Sequence, residues 1–212
     1  MKRYQHIIWD WNGTLLDDSW LCIEIMNRQL QQHRLPPLTP ARYQKVFGFP
    51  VKDYYRQLGY DFDHTPFEQL SDVFMAAYHQ RWPECQLRAG VAEMLHCMGE
   101  KGVQQSVISA AENSLVNAMV GHYGLSGHFT AVCGLDDHHA HGKLDIGRRW
   151  LVELDLPPAD VLMIGDTTHD AELARHLGID CLLVASGHQS RTRLGAAGVP
   201  VYRSLGEMQL CV

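Results

Sequence analysis

The chain opens on a short apolar run, His6-Ile7-Ile8-Trp9, that stops at Asp10 and gives way to Asn12-Gly13-Thr14. Such a run, bounded by polar and glycine residues, predicts a fully buried strand feeding a loop. Comparable runs recur at 105–108, 130–133, 161–164 and 181–184. Helical spacing fills most of the intervals. Leu115, Val116 and Met119 share one face of 114–123, and Ile146, Trp150, Leu151 and Leu154 share one face of 144–154. A third helical stretch, 171–177, ends before Gly178, a helix stop. Strands alternating with helices predict an α/β, Rossmann-like, doubly wound parallel sheet covered on both faces. Ligands of such sheets bind at the carboxyl ends of the strands.

Residues 19–84 break the alternation. The stretch 19–34 is helical in pattern, with Leu21, Ile25, Met26 and Leu30 apolar, and Pro36, Pro37 and Pro40 then interrupt it. Two further helical candidates follow, 41–58 with a break near 48–50, and 66–81, and no clear strand lies among them. The pattern predicts two units. Residues 1–18 with 85–212 form an α/β core, and 19–84 form a small helical cap domain inserted after the first strand.

Composition narrows the class without choosing a function. Of 212 residues, 46% are hydrophobic and 20% charged, an ordinary globular balance. The net charge of −6 advertises no basic surface for nucleic acid. The run His6–Trp9 is too short for a membrane span or a signal-peptide core, so a cytoplasmic enzyme is expected. Six cysteines stand without CxxC pairs or zinc-site spacing, and reduced, buried thiols are expected. Oligomeric state, monomer or homodimer, is left open.

Four clusters carry chemistry. Asp10, at a strand end before a glycine turn, can meet an electrophile while turn amides hold an anion; it is equally readable as an ordinary strand-to-loop aspartate. Ser109, in Val107-Ile108-Ser109-Ala110, closes the next core strand. Lys143 stands just before a helix, where a lone lysine is ordinarily a solvated charge. Asp166 and Asp170, in Gly165-Asp166-Thr167-Thr168-His169-Asp170, straddle a loop and a first helical turn. They can face one hard cation, although Asp170 could merely favour the helix N-terminus.

Taken in order, these clusters resemble the haloacid dehalogenase superfamily: an apolar run ending in D-x-D-G-T, a strand-end Ser or Thr, a Lys, and G-D-x-x-x-D. The cap and the chain length resemble its phosphoglycolate phosphatase-like branch. The resemblance implies a phosphatase using Mg²⁺ on a small phosphorylated metabolite, with no nucleic-acid or membrane partner. It implies Asp10 as the nucleophile that becomes an aspartyl phosphate. It implies Mg²⁺ held by Asp10, Asp166 and the Asn12 carbonyl, with Asp170 close by. Ser109, Ala110 and Lys143 would hold phosphate, with Thr14 steadying the loop. Trp11 and Asn12 would contribute backbone, and the Trp11 ring is expected against the cap.

One position departs from the pattern. The family's phosphatases place a second aspartate, the general acid and base, where this chain has Asn12. An amide has no titratable proton. Besides the phosphatase, two readings therefore stand. One is a relative of phosphonoacetaldehyde hydrolase that uses a cap lysine, for which Lys52 is the candidate, though a surface charge is its simpler account. The other is a non-catalytic binder of phosphorylated ligands. A receiver-type signalling module is disfavoured by the 19–84 insert. His138, His139 and His141 precede Lys143 and could supply a proton relay near neutral pH, although a solvated loop is their simpler account, as surface charges are for Arg191 and Arg193. The segment 48–50 is expected to face the substrate.

Overall fold

A computed structural model of the chain describes residues 4–135 and 142–208. His138, His139 and His141 lie outside the described residues. Six parallel strands form one sheet in the order β5-β4-β1-β6-β7-β8. They are β1 (His6–Trp9), β4 (Gln104–Glu112), β5 (Ala131–Leu135), β6 (Val161–Gly165), β7 (Asp180–Val184) and β8 (Val201–Tyr202). Every residue of β1 and β6 is buried, which is why both read as unbroken apolar runs. Helices α5 (Val91–Glu100), α6 (Asn113–His122), α7 (Lys143–Leu154), α8 (Thr168–Leu177) and the short α9 (Arg191–Leu194) cover the sheet. Ile7, Trp9, Leu162 and Ile164 belong to one apolar cluster of the sheet. Ile8, Val161 and Met163 belong to another, with Ala171, Leu173 and Leu177 of α8. This alternation is what a strand buried on two sides requires.

Four helices follow the first strand: α1 (Ser19–Gln32), α2 (Pro40–Val46), α3 (Val51–Leu58) and α4 (Phe67–Arg81). The candidate stretch 41–58 is split at Phe47–Pro50, where proline and glycine cannot continue a helix. Met26, Leu30, Tyr43, Tyr54, Tyr55 and Leu70 give the insert a core of its own. Its ends are drawn together by β2 (Leu16–Asp17) and β3 (Gln86–Leu87), an antiparallel pair flanking 19–84. Two residues per strand are too few for any periodicity, so the sequence carries no sign of this pair.

The strand order reverses beside β1. The chain leaves β1 for β4 and β5 on one side, then crosses to β6, β7 and β8 on the other. The carboxyl ends of β1 and β6 therefore border the switch point, where departing connections open a crevice.

Four expectations change. Ser109 does not close its strand: β4 runs on to Glu112, with a register irregularity between Ile108 and Glu112 that places Ser109 where pairing with β5 lapses. The Trp11 indole packs in the core rather than on the insert, with Nε1 3.1 Å from Met119 Sδ of α6 and its ring 6.3 Å from that of Tyr123. Arg193 is not a free surface charge; its guanidinium donates to the carbonyls of Lys45 and Phe47 and ties α9 to the insert. Lys143 is the first residue of α7 and is buried.

Truncating Ile164, which is wholly buried in β6, should expose this dependence on a filled central sheet. Ile164→Ala is expected to cost about 2–5 kcal/mol in urea unfolding, with an unchanged m-value.

Candidate active site

Asp10 leaves β1 with its amide bonded to the Ile164 carbonyl at 2.9 Å, which fixes its backbone beside β6. Lys143 Nζ lies 2.6 Å from Asp10 Oδ1 and 2.6 Å from Asp170 Oδ1. The Thr14 hydroxyl lies 3.0 Å from Asp10 Oδ2 and 3.3 Å from Asp166 Oδ1, so it bridges the two acids. Asp170 serves two purposes, one per oxygen. Oδ2 accepts from the Thr167 amide at 3.0 Å and hydroxyl at 2.8 Å, opening α8, while Oδ1 receives the lysine. Asp170 thus opens α8 with one oxygen and meets Lys143 with the other.

Asp10, Asp166 and Asp170 are all buried, and one oxygen from each lies within 4.8 Å of the others. Three carboxyl groups share one ammonium, and ionising all of them would leave two uncompensated negative charges. Burial pushes Asp10 up to about 8, against the pull of Lys143 and helped by Asp170 and Asp166. Burial likewise lifts Asp166 to about 6, partly opposed by the His188 charge. Burial would depress Lys143, but Asp10 and Asp170 hold it well above the ordinary lysine range. An all-oxygen donor set short of two positive charges fits a hard divalent cation. The packing agrees. A Cβ at Gly13 (φ +78°) or at Gly187 would collide with the Asp166 carboxylate, so glycines keep that wall open to it.

Asn12 meets a second set of residues that the motifs do not include. Its Nδ2 donates to Asp18 Oδ2 at 2.8 Å and contacts Tyr78 Oη at 2.8 Å, and its Oδ1 lies 3.4 Å from Ser109 Oγ. Asp18 also accepts from the Tyr78 hydroxyl at 2.7 Å and the Gly13 amide at 2.9 Å, and pairs with His188 Nε2 at 3.2 Å. Burial alone would raise Asp18, yet the His188 charge and the hydrogen bonds from His188, Tyr78 and Asn12 hold it below the usual carboxylate range. Burial would lower His188, but Asp18 and the site acids bring it up to about 9. Its ring Nδ1 meets Tyr43 Oη at 2.7 Å, and its amide donates to Asp166 Oδ2 at 2.5 Å. Tyr43 stands on α2 and Tyr78 on α4, so this chain of contacts couples the insert to the Asp10 loop. Arg88 joins it from outside, donating to the Gly13 carbonyl at 2.7 Å.

One chamber of about 550 Å³ collects these groups. Asp10, Asn12, Ser109, Ala110, Lys143 and Asp166 line its floor, with Asp170 beside them. The expected 48–50 segment contributes Phe49, its ring centroid 4.7 Å from that of His169 and tilted by 30°. Trp11 is absent from the lining, its side chain being committed to α6. Lys52 also turns elsewhere, lying over the Phe62 and Phe67 rings, 3.9 Å from Glu68. A Schiff base at Lys52 has no support from this placement.

The haloacid dehalogenase-like hydrolase family profile matches residues 7–184. The chain belongs to this family. It is 26% identical over 199 residues to a phosphoglycolate phosphatase of Synechococcus elongatus, covering 91% of this chain and 89% of that one. It is 25% identical over 186 residues to the tyrosine-protein kinase PtkA of Mycobacterium tuberculosis, covering 87% of this chain but spanning only 63% of that protein's length. A haloacid dehalogenase-like family protein from Streptococcus pneumoniae superposes with a TM-score of 0.82 at 20% identity, over 98% of both chains. The α/β core with its helical insert is thus the family's fold. Among the described residues no helix is long and apolar enough to cross a membrane.

The pH dependence of stability follows from the site. Asp10 and Asp166, raised from 3.8, hold protons in the native state that the unfolded chain has released, and His188, raised from 6.5, does the same up to about 9. Stability therefore falls as pH rises across these windows. Metal-free protein should melt at a lower temperature at pH 8 than at pH 5. Added Mg²⁺ should raise the melting temperature more at pH 8 than at pH 5, and Asp166→Asn should remove most of that increment. Differential scanning fluorimetry across pH measures all three.

Proposed function

We propose that this protein is a magnesium-dependent phosphohydrolase that cleaves a small phosphorylated molecule through an aspartyl phosphate on Asp10. The observation that carries the reading is the buried meeting of Asp10 with Lys143 at 2.6 Å, beside two further carboxylates at metal-ligand spacing. Hydrolase family membership and the phosphatase names of several relatives support it. In this reading residues 19–84 act as the cap over a core made of 1–18 and 85–212.

Asp10 attacks phosphorus, the bond to the leaving oxygen breaks, and that oxygen departs with the electron pair. Water then attacks the phosphorus of the aspartyl phosphate, releasing inorganic phosphate and restoring Asp10. Lys143, already bonded to Asp10, orients the attacking carboxylate and offsets negative charge as the phosphate approaches. Ser109 Oγ, with the Ala110 segment, holds a phosphate oxygen against the floor of the chamber. The Trp11 and Asn12 backbone turns past the same floor. Asp10, Asp166, the Asn12 carbonyl and Asp170 are the groups that would hold Mg²⁺, which when bound screens the repulsion between carboxylate and phosphate.

Asn12 leaves the leaving oxygen without its usual proton donor, a loss typically worth about 10²–10⁴ in rate. It is also the observation that keeps a binder of phosphorylated ligands in view. Release of phosphate from p-nitrophenyl phosphate separates the two. We expect Mg²⁺-dependent turnover, abolished in Asp10→Asn with the fold intact by circular dichroism. No turnover, together with thermal protection by phosphate, would establish the binder. Asn12→Asp alone would set two carboxylates across the 2.8 Å now spanned by a hydrogen bond to Asp18. The exchange Asn12→Asp with Asp18→Asn keeps one amide and one carboxylate there. The double variant should raise kcat/KM for alkyl phosphates by about 10²-fold or more and barely change that for p-nitrophenyl phosphate. Equal effects on both would show that another group protonates the leaving oxygen.

A further inference from the structure

We infer that the substrate is an aryl phosphomonoester, a phosphate carried on an apolar aromatic ring through a phenolic oxygen, and this rests on the phosphohydrolase reading above. Two independent observations meet here.

The first is the chemistry of the chamber's upper wall. Met26, Tyr54, Tyr55, Phe67, Phe74 and Met75 all line it, and all come from the insert. The insert carries seven lysines and arginines in 19–84, yet none lines the chamber. Five of them are engaged elsewhere. Arg28 and Arg81 pair with Glu24, Arg56 with Asp53 and Lys52 with Glu68, while Arg42 lies against the Pro37 carbonyl. A second anionic group on the substrate would therefore face mainly aromatic rings and thioethers, with no lysine or arginine of the insert to pair with, at a desolvation cost of several kcal/mol. An aromatic ring would instead bury its apolar area against those rings and thioethers. Tyr54 offers one polar contact, because its buried hydroxyl has no hydrogen-bond partner among the described residues. At about 550 Å³ the chamber has room for a fused two-ring group as well as the phosphate.

The second observation is Asn12. Breaking the P–O bond of an alkyl phosphate expels an alkoxide whose conjugate acid is about as weak as water, with a pKa near 15.7, and this demands a proton donor. A phenolate leaves with the P–O electron pair at a conjugate-acid pKa of about 10 and takes its proton from solvent afterwards. Position 12 carries no acid to protonate an alcohol, and the roof suits a leaving group that does not need one.

Steady-state kinetics with Mg²⁺ on three esters tests both halves: 1-naphthyl phosphate, 1-naphthylmethyl phosphate and phosphoglycolate. We expect kcat/KM for 1-naphthyl phosphate to exceed that of each of the others by about 10²–10⁴-fold. Titration of the Asp10→Asn variant should show tighter binding of both naphthyl esters than of phosphoglycolate, with a negative heat-capacity change. Phosphoglycolate turned over or bound as well as 1-naphthyl phosphate would overturn the inference and leave the phosphohydrolase standing. Equal kcat/KM for the two naphthyl esters would overturn its leaving-group half. Failure to hydrolyse any of the three, and p-nitrophenyl phosphate besides, would bring down the phosphohydrolase reading itself.

Discussion

The molecule is organised around a charge imbalance it has buried. Asp10 and Asp170 are held against Lys143 where β1 and β6 end, with Asp166 beside them, and full ionisation would leave the group two charges negative. Water cannot relieve this at so little exposure, and the sheet cannot move the acids apart without breaking the central ladder that positions them. The surroundings answer with fixed dipoles. The Thr14 hydroxyl bridges two acids, the His188 amide meets a third oxygen, and Thr167 caps Asp170. These soften the repulsion without cancelling it. A site of oxygen donors left short of positive charge in this way suits a hard divalent cation.

The same constraint explains what the sequence made legible. The central strands are buried on both faces, so they stand out as apolar runs, and their ends point to Asp10 and Asp166. β8 pairs at the sheet edge through two residues and leaves no such trace. Lys143 is the least informative of the four clusters in sequence, because a lysine's burial depends on partners far away along the chain. Its carboxylate partners stand 133 and 27 residues off. Ser109 looked like a strand end because a bulge changes side-chain direction without changing composition. Asp18 and His188 went unread, although a signal for His188 was available. The run 181–184 ends just before Gly187-His188, and the strand-end rule that picked out Asp166 applies there as well. Asp18 has no comparable signal, since an acid at the start of a helix is ordinarily a surface residue.

Asn12 acquires a different meaning once Asp18 is seen. The position has not simply lost a carboxylate. A carboxylate stands six residues later, 2.8 Å from the amide, paired with His188 and bonded to Tyr78. An aspartate at position 12 would repel it. The two positions therefore constrain each other, and the amide at 12 is the residue type that can donate to a buried, ionised Asp18 while its oxygen receives Ser109.

That network also reaches the roof. Tyr43 and Tyr78 belong to helices of the insert, and both end on the Asp18–His188 pair. Gln44 and Phe47 add contacts to the loop carrying His188, through the Gly187 carbonyl, the Ser190 amide and the Gln189 side chain. Sliding the insert over the core would break a buried ion pair's supporting hydrogen bonds, which cost far more to lose inside a protein than at its surface. The apolar roof is thus held in a set relation to the Asp10 loop, with the charges on the floor and the rings above. The network thus fixes two unlike surfaces, one charged and one apolar, against each other across a single chamber.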